Sequence, residues 1–231
     1  NLLIDGHTYI SKEYLDVKDY GNAIVFSNKI IEIDSTSARG YYNRACVYQA
    51  QEEDNLAIID YTKALNLNPN YTEAYYNRAL IYEKQDNYES AITDLDKAAK
   101  QNPSFLIDIF YNKGEIYRET KSLEKAITEY TKIIELDTME IRAYCKRAET
   151  YFQQNKLDKA ITDYSKCIKS DSTNIFLYMR RALAFEGNKD YDDALTDYRK
   201  ILALDPENEY LKLDTVRNAI KRIKPLVKKE P

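Results

Sequence analysis

His7 is the only histidine in the 231-residue chain, and one imidazole cannot make a catalytic dyad or a metal centre alone. Phosphate-cradling loops and nucleophile elbows need glycines at fixed spacing, G-x-x-x-x-G-K or G-x-S-x-G. The chain has neither, and only five glycines in all. Its carboxylates recur at equivalent places, so no acid and base pair stands apart. Catalytic, cofactor-binding and metal-ligating residues are therefore not expected, and the chain reads as a non-enzyme. Two other constellations remain. Arg44 and Asp60, Arg78 and Asp94, Lys113 and Glu129, Arg147 and Asp163, and Arg181 and Asp197 are couples of one spacing. Asn43, Asn77 and Asn112 follow Tyr42, Tyr76 and Tyr111, and further on the equivalent sites hold Lys146 and Arg180. An amide both donates and accepts, so a row of them can hold a peptide backbone without reading its side chains, and tyrosine adds flat amphipathic contact area.

These residues lie on a 34-residue period. Segments 4–37, 38–71, 72–105, 107–140, 141–174 and 175–208 superimpose, with one insertion at Leu106. Repeat position 20 is alanine six times, from Ala23 to Ala194, and position 11 is Tyr14, Tyr48, Tyr82, Tyr117, Tyr151 and Phe185. A period of this length marks stacked repeats, none able to bury its apolar face alone. Apolar and small residues at positions 4, 8 and 11, then at 20, 21, 24, 27 and 28, form two helical stripes. In the third repeat the stripes are parted by the polar turn Gln85-Asp86-Asn87, so each repeat is expected to be a helical hairpin. Position 8 is always small, which lets the two axes approach. Pro69, Pro103 and Pro206 at position 32 stop the second helix. The couples occupy positions 7 and 23. In the first repeat both members change together, to Ile10 and Phe26, which predicts a contact between helices that sets register.

Charged residues make up 31% of the chain at a formal net charge of -4, giving mixed-sign surfaces. No stretch is long and apolar enough to span a membrane, and a cytoplasmic location is expected. Cys46, Cys145 and Cys167 are odd in number without C-x-x-C spacing, which fits reduced thiols. The chain starts at Asn1, which leaves room for a longer parent protein.

Small residues at 8 and 20, aromatics at 4, 11 and often 24, and proline at 32 resemble the tetratricopeptide repeat (TPR) across residues 4–208. The resemblance implies an all-α, right-handed superhelical solenoid of six hairpins, first helices lining a concave groove. Residues 209–224 resemble the helix that covers the last repeat, with Leu213, Val216, Ile220 and Ile223 as its apolar face. Residues 225–231 form a basic tail. The groove positions implied are 2, 5, 6, 9, 12 and 13, which makes Tyr42, Asn43, Tyr76, Asn77, Tyr111, Asn112, Arg142, Lys146 and Arg180 the candidate peptide-binding residues. The asparagines resemble the ladder of the O-linked N-acetylglucosamine transferases. Over those groove positions seven basic residues face nine acidic ones, which argues against nucleic acid. The implied function is an interaction scaffold that binds an extended segment of a partner protein, with self-association through solenoid ends also open. Two alternatives stand beside it. One is a co-chaperone-type adaptor for acidic heat-shock tails, since Asn112, Arg142 and Lys146 resemble part of a carboxylate clamp whose preceding positions hold Tyr76 and Leu80 instead. The other is the recognition arm of an enzyme whose catalytic domain lies outside this chain.

Overall fold

The computed structural model describes residues 2–206 and 213–227. Among them are thirteen α-helices and no strand. They are α1 (Leu2–Asp16), α2 (Tyr20–Ile33), α3 (Ala38–Ala50), α4 (Asp54–Leu67), α5 (Thr72–Lys84), α6 (Tyr88–Gln101), α7 (Leu106–Glu119), α8 (Leu123–Leu136), α9 (Ile141–Gln153), α10 (Leu157–Ser170), α11 (Ile175–Gly187), α12 (Tyr191–Leu204) and α13 (Leu213–Ile223). Short 3-10 turns span Pro103–Phe105, where the chain accommodates the extra residue before α7, and Lys224–Leu226 around Pro225.

One local device makes every hairpin. Lys18, Glu52, Asp86, Lys121, Asn155 and Lys189 all have φ between 58° and 66°, and all occupy repeat position 15. The next N–H reaches back to the carbonyl of position 11, as in Asn87 to Tyr82 at 2.8 Å and Ser122 to Tyr117 at 2.7 Å. This left-handed cap closes the first helix and turns the chain within three residues. None of the six is glycine, so the turn carries no glycine signal. The second helix ends just as regularly. Asp34, Asn68, Asn102, Asp137 and Asp171 at position 31 each accept the N–H two residues on, at 2.8–3.1 Å. Such side-chain turns redirect the backbone before the next first helix. Asp34 and Asp171 also accept the hydroxyls of Thr36 and Thr173, and these bonds hold both carboxyls below the usual range.

Packing divides the chain into two compact units, Asn1–Ile109 and Phe110–Pro231. In both, the position-20 alanines are completely buried. The position-8 residues Ser11, Ala45, Ala79, Gly114, Ala148 and Ala182 are buried as well. A close approach of two axes leaves no room for side chains there. Tyr61, Tyr130, Tyr164 and Tyr198 fill position 24 and are among the largest fully buried side chains. In the second unit α13 lays Val216, Ala219 and Ile223 against Tyr178, Leu195 and Ile201. Among the described residues this covering helix spans Leu213–Ile223; residues 209–212, the side chain of Leu213 and residues 228–231 lie outside the described residues.

The cysteines depart from the reduced thiols expected. Cys145 on α9 and Cys167 on α10 form a disulfide, and Cys46 is the free thiol. Positions 5 and 27 of one hairpin face each other with Cα atoms 6.0 Å apart, within the span a disulfide bridges. Their separation of 22 residues matches no short cysteine motif.

Candidate functional site

The residues that could bind must first be separated from those that hold the helices. Arg78 donates Nε to Asp94 Oδ2 at 2.7 Å and Nη2 to Asp94 Oδ1 at 2.9 Å, a bidentate fork within one hairpin. Its remaining Nη1 donates to Thr62 Oγ1 of the preceding second helix at 2.7 Å. The same three contacts recur with Arg44, Asp60 and Asn28, with Arg147, Asp163 and Thr131, and with Arg181, Asp197 and Ser165. Each guanidinium also lies between two rings of its own helix, Tyr75 and Tyr82 for Arg78, with centroids 5.8 and 5.7 Å away. The couple therefore joins three helices. Its aspartates are buried, so the ~0.2–1 kcal/mol of exposed pairs does not describe it. Lys113 is the weaker version, 3.4 Å from Glu129, which Lys132 also holds at 3.0 Å.

In the first unit, Tyr42, Asn43, Tyr76 and Asn77 come from α3 and α5, and all are half-buried. Tyr42 stacks on Tyr71 at 4.6 Å, and Tyr76 lies 5.5 Å from Phe105. Asn77 Nδ2 donates to the Tyr42 hydroxyl at 3.2 Å, linking one hairpin's candidate residues to the next. Tyr61 donates its hydroxyl to Gln49 at 2.6 Å and also lies 3.4 Å from Cys46 Sγ. Burial pushes the Cys46 thiol up, which favours the protonated thiol over the thiolate. Asn43 Nδ2 and Thr8 Oγ1 are buried without a hydrogen-bond partner among the described residues. An unmade bond at such a group costs about 1–3 kcal/mol.

The second unit treats its candidates differently. Tyr111 is buried, with its hydroxyl donating to Glu140 at 3.0 Å and the Arg142 guanidinium 4.3 Å over its ring. Asn112 is half-buried beside it. Lys146 donates to Glu115 Oε2 at 3.2 Å, and Arg118 binds Glu115 at 3.2 Å and Glu149 at 3.1 Å. The Tyr130 hydroxyl closes on the same Glu115. Arg180 is exposed on α11 beside Phe176 and Leu183. Of the three cations singled out in the sequence, Lys146 is neutralised by Glu115 and Arg142 caps an aromatic ring. The sequence reading missed Glu115 as an organising residue, although Glu115 and Glu149 both stand at position 9 with Arg118 one turn on from Glu115.

Burial works against the charge of Glu115, but Tyr130, Arg118 and Lys146 outweigh it and hold its carboxyl below the usual glutamate range. A folded-state pKa below the unfolded one stabilises at neutral pH. That contribution fades as pH falls past the unfolded value of about 4.3 and through the lower folded one. The melting temperature of the chain is expected to drop over that window, and less steeply in Glu115→Gln. Identical slopes in both proteins would show that Glu115 does not contribute.

Comparison with known proteins decides the family. The profile described as "Tetratricopeptide repeat" matches residues 38–71, 72–105, 141–174 and 175–208, and a second, "TPR repeat", matches 114–154. The chain belongs to the tetratricopeptide repeat family. It is an all-α helical-repeat protein of the class the sequence implied, and the TPR fold supports an interaction scaffold with protein partners. Among solved TPR structures it is similar to the C-terminal part of a repeat protein from Cytophaga hutchinsonii, at 19% identity, 96% coverage of both chains and a TM-score of 0.77. It is also similar to YrrB, described as a TPR protein with an unusual peptide-binding site, at 21% identity over 84% of this chain and 97% of that one, TM-score 0.69. PilW, a type IV pilus biogenesis factor, shares 18% identity over 94% and 99%, TM-score 0.66. These likenesses establish the TPR fold alone. No curated protein matches the chain significantly. Among the described residues of this TPR protein, no helix is long and apolar enough to cross a membrane, and no group of three or more metal-ligating side chains is brought together.

Proposed function

We propose that this chain is an interaction scaffold of six TPR hairpins with a covering helix, which binds extended segments of partner proteins on the faces of its first helices. The observation that carries this reading is the Asn77 to Tyr42 hydrogen bond, which orients two groove positions of neighbouring hairpins while leaving both side chains half-exposed. A backbone segment laid across them meets a fixed amide and a flat aromatic face, so little side-chain entropy is lost on binding. Binding is modest and reversible because the partner segment orders as it binds. The engagement of Lys146 with Glu115 disfavours the acidic-tail adaptor, since a ligand carboxylate there would have to displace one already bound. The Cys145–Cys167 disulfide fits an oxidising compartment better than the cytoplasm expected from the sequence.

The test is a pull-down from the source cell with partners identified by mass spectrometry. An Asn77→Ala, Asn112→Ala double variant is expected to recover roughly tenfold less partner than the wild type, as about 1.4 kcal/mol of lost binding would give. Equal recovery by the two proteins would remove the asparagines from the reading.

A further inference from the structure

The Cys145–Cys167 disulfide of the second unit is unequal at its two ends. Cys145 stands on α9 in the register that holds Tyr42, Tyr76 and Tyr111 in earlier hairpins, and it is only half-buried. Cys167 on α10 has no exposed surface at all. Its Sγ lies 3.9 Å from the carbonyl oxygen of Ile141, the first residue of α9. Thiol–disulfide exchange proceeds by attack of a thiolate on one of the two sulfurs, and access decides which one is attacked. Solvent offers no approach to Cys167, so a thiol that meets the folded chain can attack only at Cys145.

From this asymmetry we infer that Cys145 is a site of reversible S-thiolation, where a small-molecule thiol opens the disulfide and stays on Cys145 as a mixed disulfide. The chemistry does not depend on what segment binds to the first helices. A thiol RSH gives its proton to water, and RS⁻ forms a bond to Cys145 Sγ as the Cys145–Cys167 bond breaks. The electron pair of that bond passes to Cys167 Sγ, which then takes up a proton. The sum is RSH plus the protein disulfide giving RS–S–Cys145 and a Cys167 thiol, with no co-reactant beyond the thiol itself. Reclosure would need Cys167 as the thiolate. Burial disfavours that charge, and the Ile141 carbonyl is placed to accept the S–H, so the released group is held protonated and the adduct persists. The same burial makes Cys167 a poor leaving group, so opening belongs at the slow end of the seconds-to-hours range of disulfide exchange. A second RSH removes the adduct as RSSR and leaves Cys145 as the free thiol, which makes the modification reversible.

Peptide mapping of the full chain by mass spectrometry tests the site. The protein, purified without reductant, is incubated with reduced glutathione at neutral pH, quenched in acid and digested with pepsin. Glutathione is expected on Cys145 with Cys167 as the free thiol, in roughly tenfold or greater excess over the reverse arrangement. Cys167→Ser cannot reclose, and is expected to take up glutathione from its oxidised form at Cys145. Cys145→Ser should take up roughly tenfold less at Cys167 under the same conditions, with circular dichroism showing that both variants keep their helices. A starting protein with both cysteines free, a disulfide that stays intact in glutathione, comparable adducts at the two sites, or a Cys167→Ser protein left unmodified at Cys145 would each overturn the inference.

Discussion

Asp94→Ala is expected to destabilise the chain by about 3–5 kcal/mol, the range for removing one partner of a buried ion pair. Its partner Arg78 is only 12% exposed at the side chain and sits between two tyrosine rings, so water cannot replace the carboxylate. Replacing both by apolar residues, Arg78→Met with Asp94→Leu, removes the buried charge together with its counter-charge and is expected to cost far less than the single change. Urea denaturation of the wild type, Arg78→Ala, Asp94→Ala and the double variant carrying both alanines gives the coupling energy. A coupling near zero would mean that the fork contributes nothing beyond its packing. The corresponding change at Glu129 should be milder, because Lys113 is a point charge with rotatable donors and stands 3.4 Å away rather than in a bidentate fork.

Gly114→Leu carries the second large effect. A Cβ at Gly114 would stand 2.5 Å from Tyr130 Cε1 and 2.8 Å from Cζ, closer than van der Waals contact allows. Tyr130 is itself fully buried, and its hydroxyl is spent on Glu115. Alanine at this site gains about 1 kcal/mol of helix propensity over glycine but must push the ring aside, so Gly114→Ala should cost about 1–2 kcal/mol net. Leucine adds three more carbons in the same place and is expected to reach about 3 kcal/mol. Thermal melts of the two variants check this, and a Gly114→Ala protein more stable than wild type would show that the ring yields freely.

The helical hairpins are legible because positions 8 and 20 stay small and position 11 stays aromatic in every repeat, and six copies in one chain expose what a single copy hides. Joint replacement by Ile10 and Phe26 makes the 7–23 couple visible. Its third partner is not, although position 25 offers a short acceptor in Asn28, Thr62, Thr131 and Ser165, because a polar residue on a helix surface normally needs no explanation. The turn residues are opaque for another reason. Lysine, glutamate, aspartate and asparagine hold the left-handed conformation that glycine would have advertised, and the backbone bond to position 11 stabilises it whatever the side chain. In the candidate site, residue types mark Tyr42, Asn43, Tyr76 and Asn77, whereas the state of the second unit depends on pairings between hairpins. Whether Lys146 can meet a ligand turns on Glu115, 31 residues earlier, and no local pattern reports that.

The three-way arginine contact also gives the packing of neighbouring hairpins within each unit a direction. Each fork reaches back to an acceptor synthesised 16 residues before it, so a hairpin leaving the ribosome meets a neighbour already able to receive it. The first repeat has Ile10 where a fork would be, and the last has Arg199 where an acceptor would be.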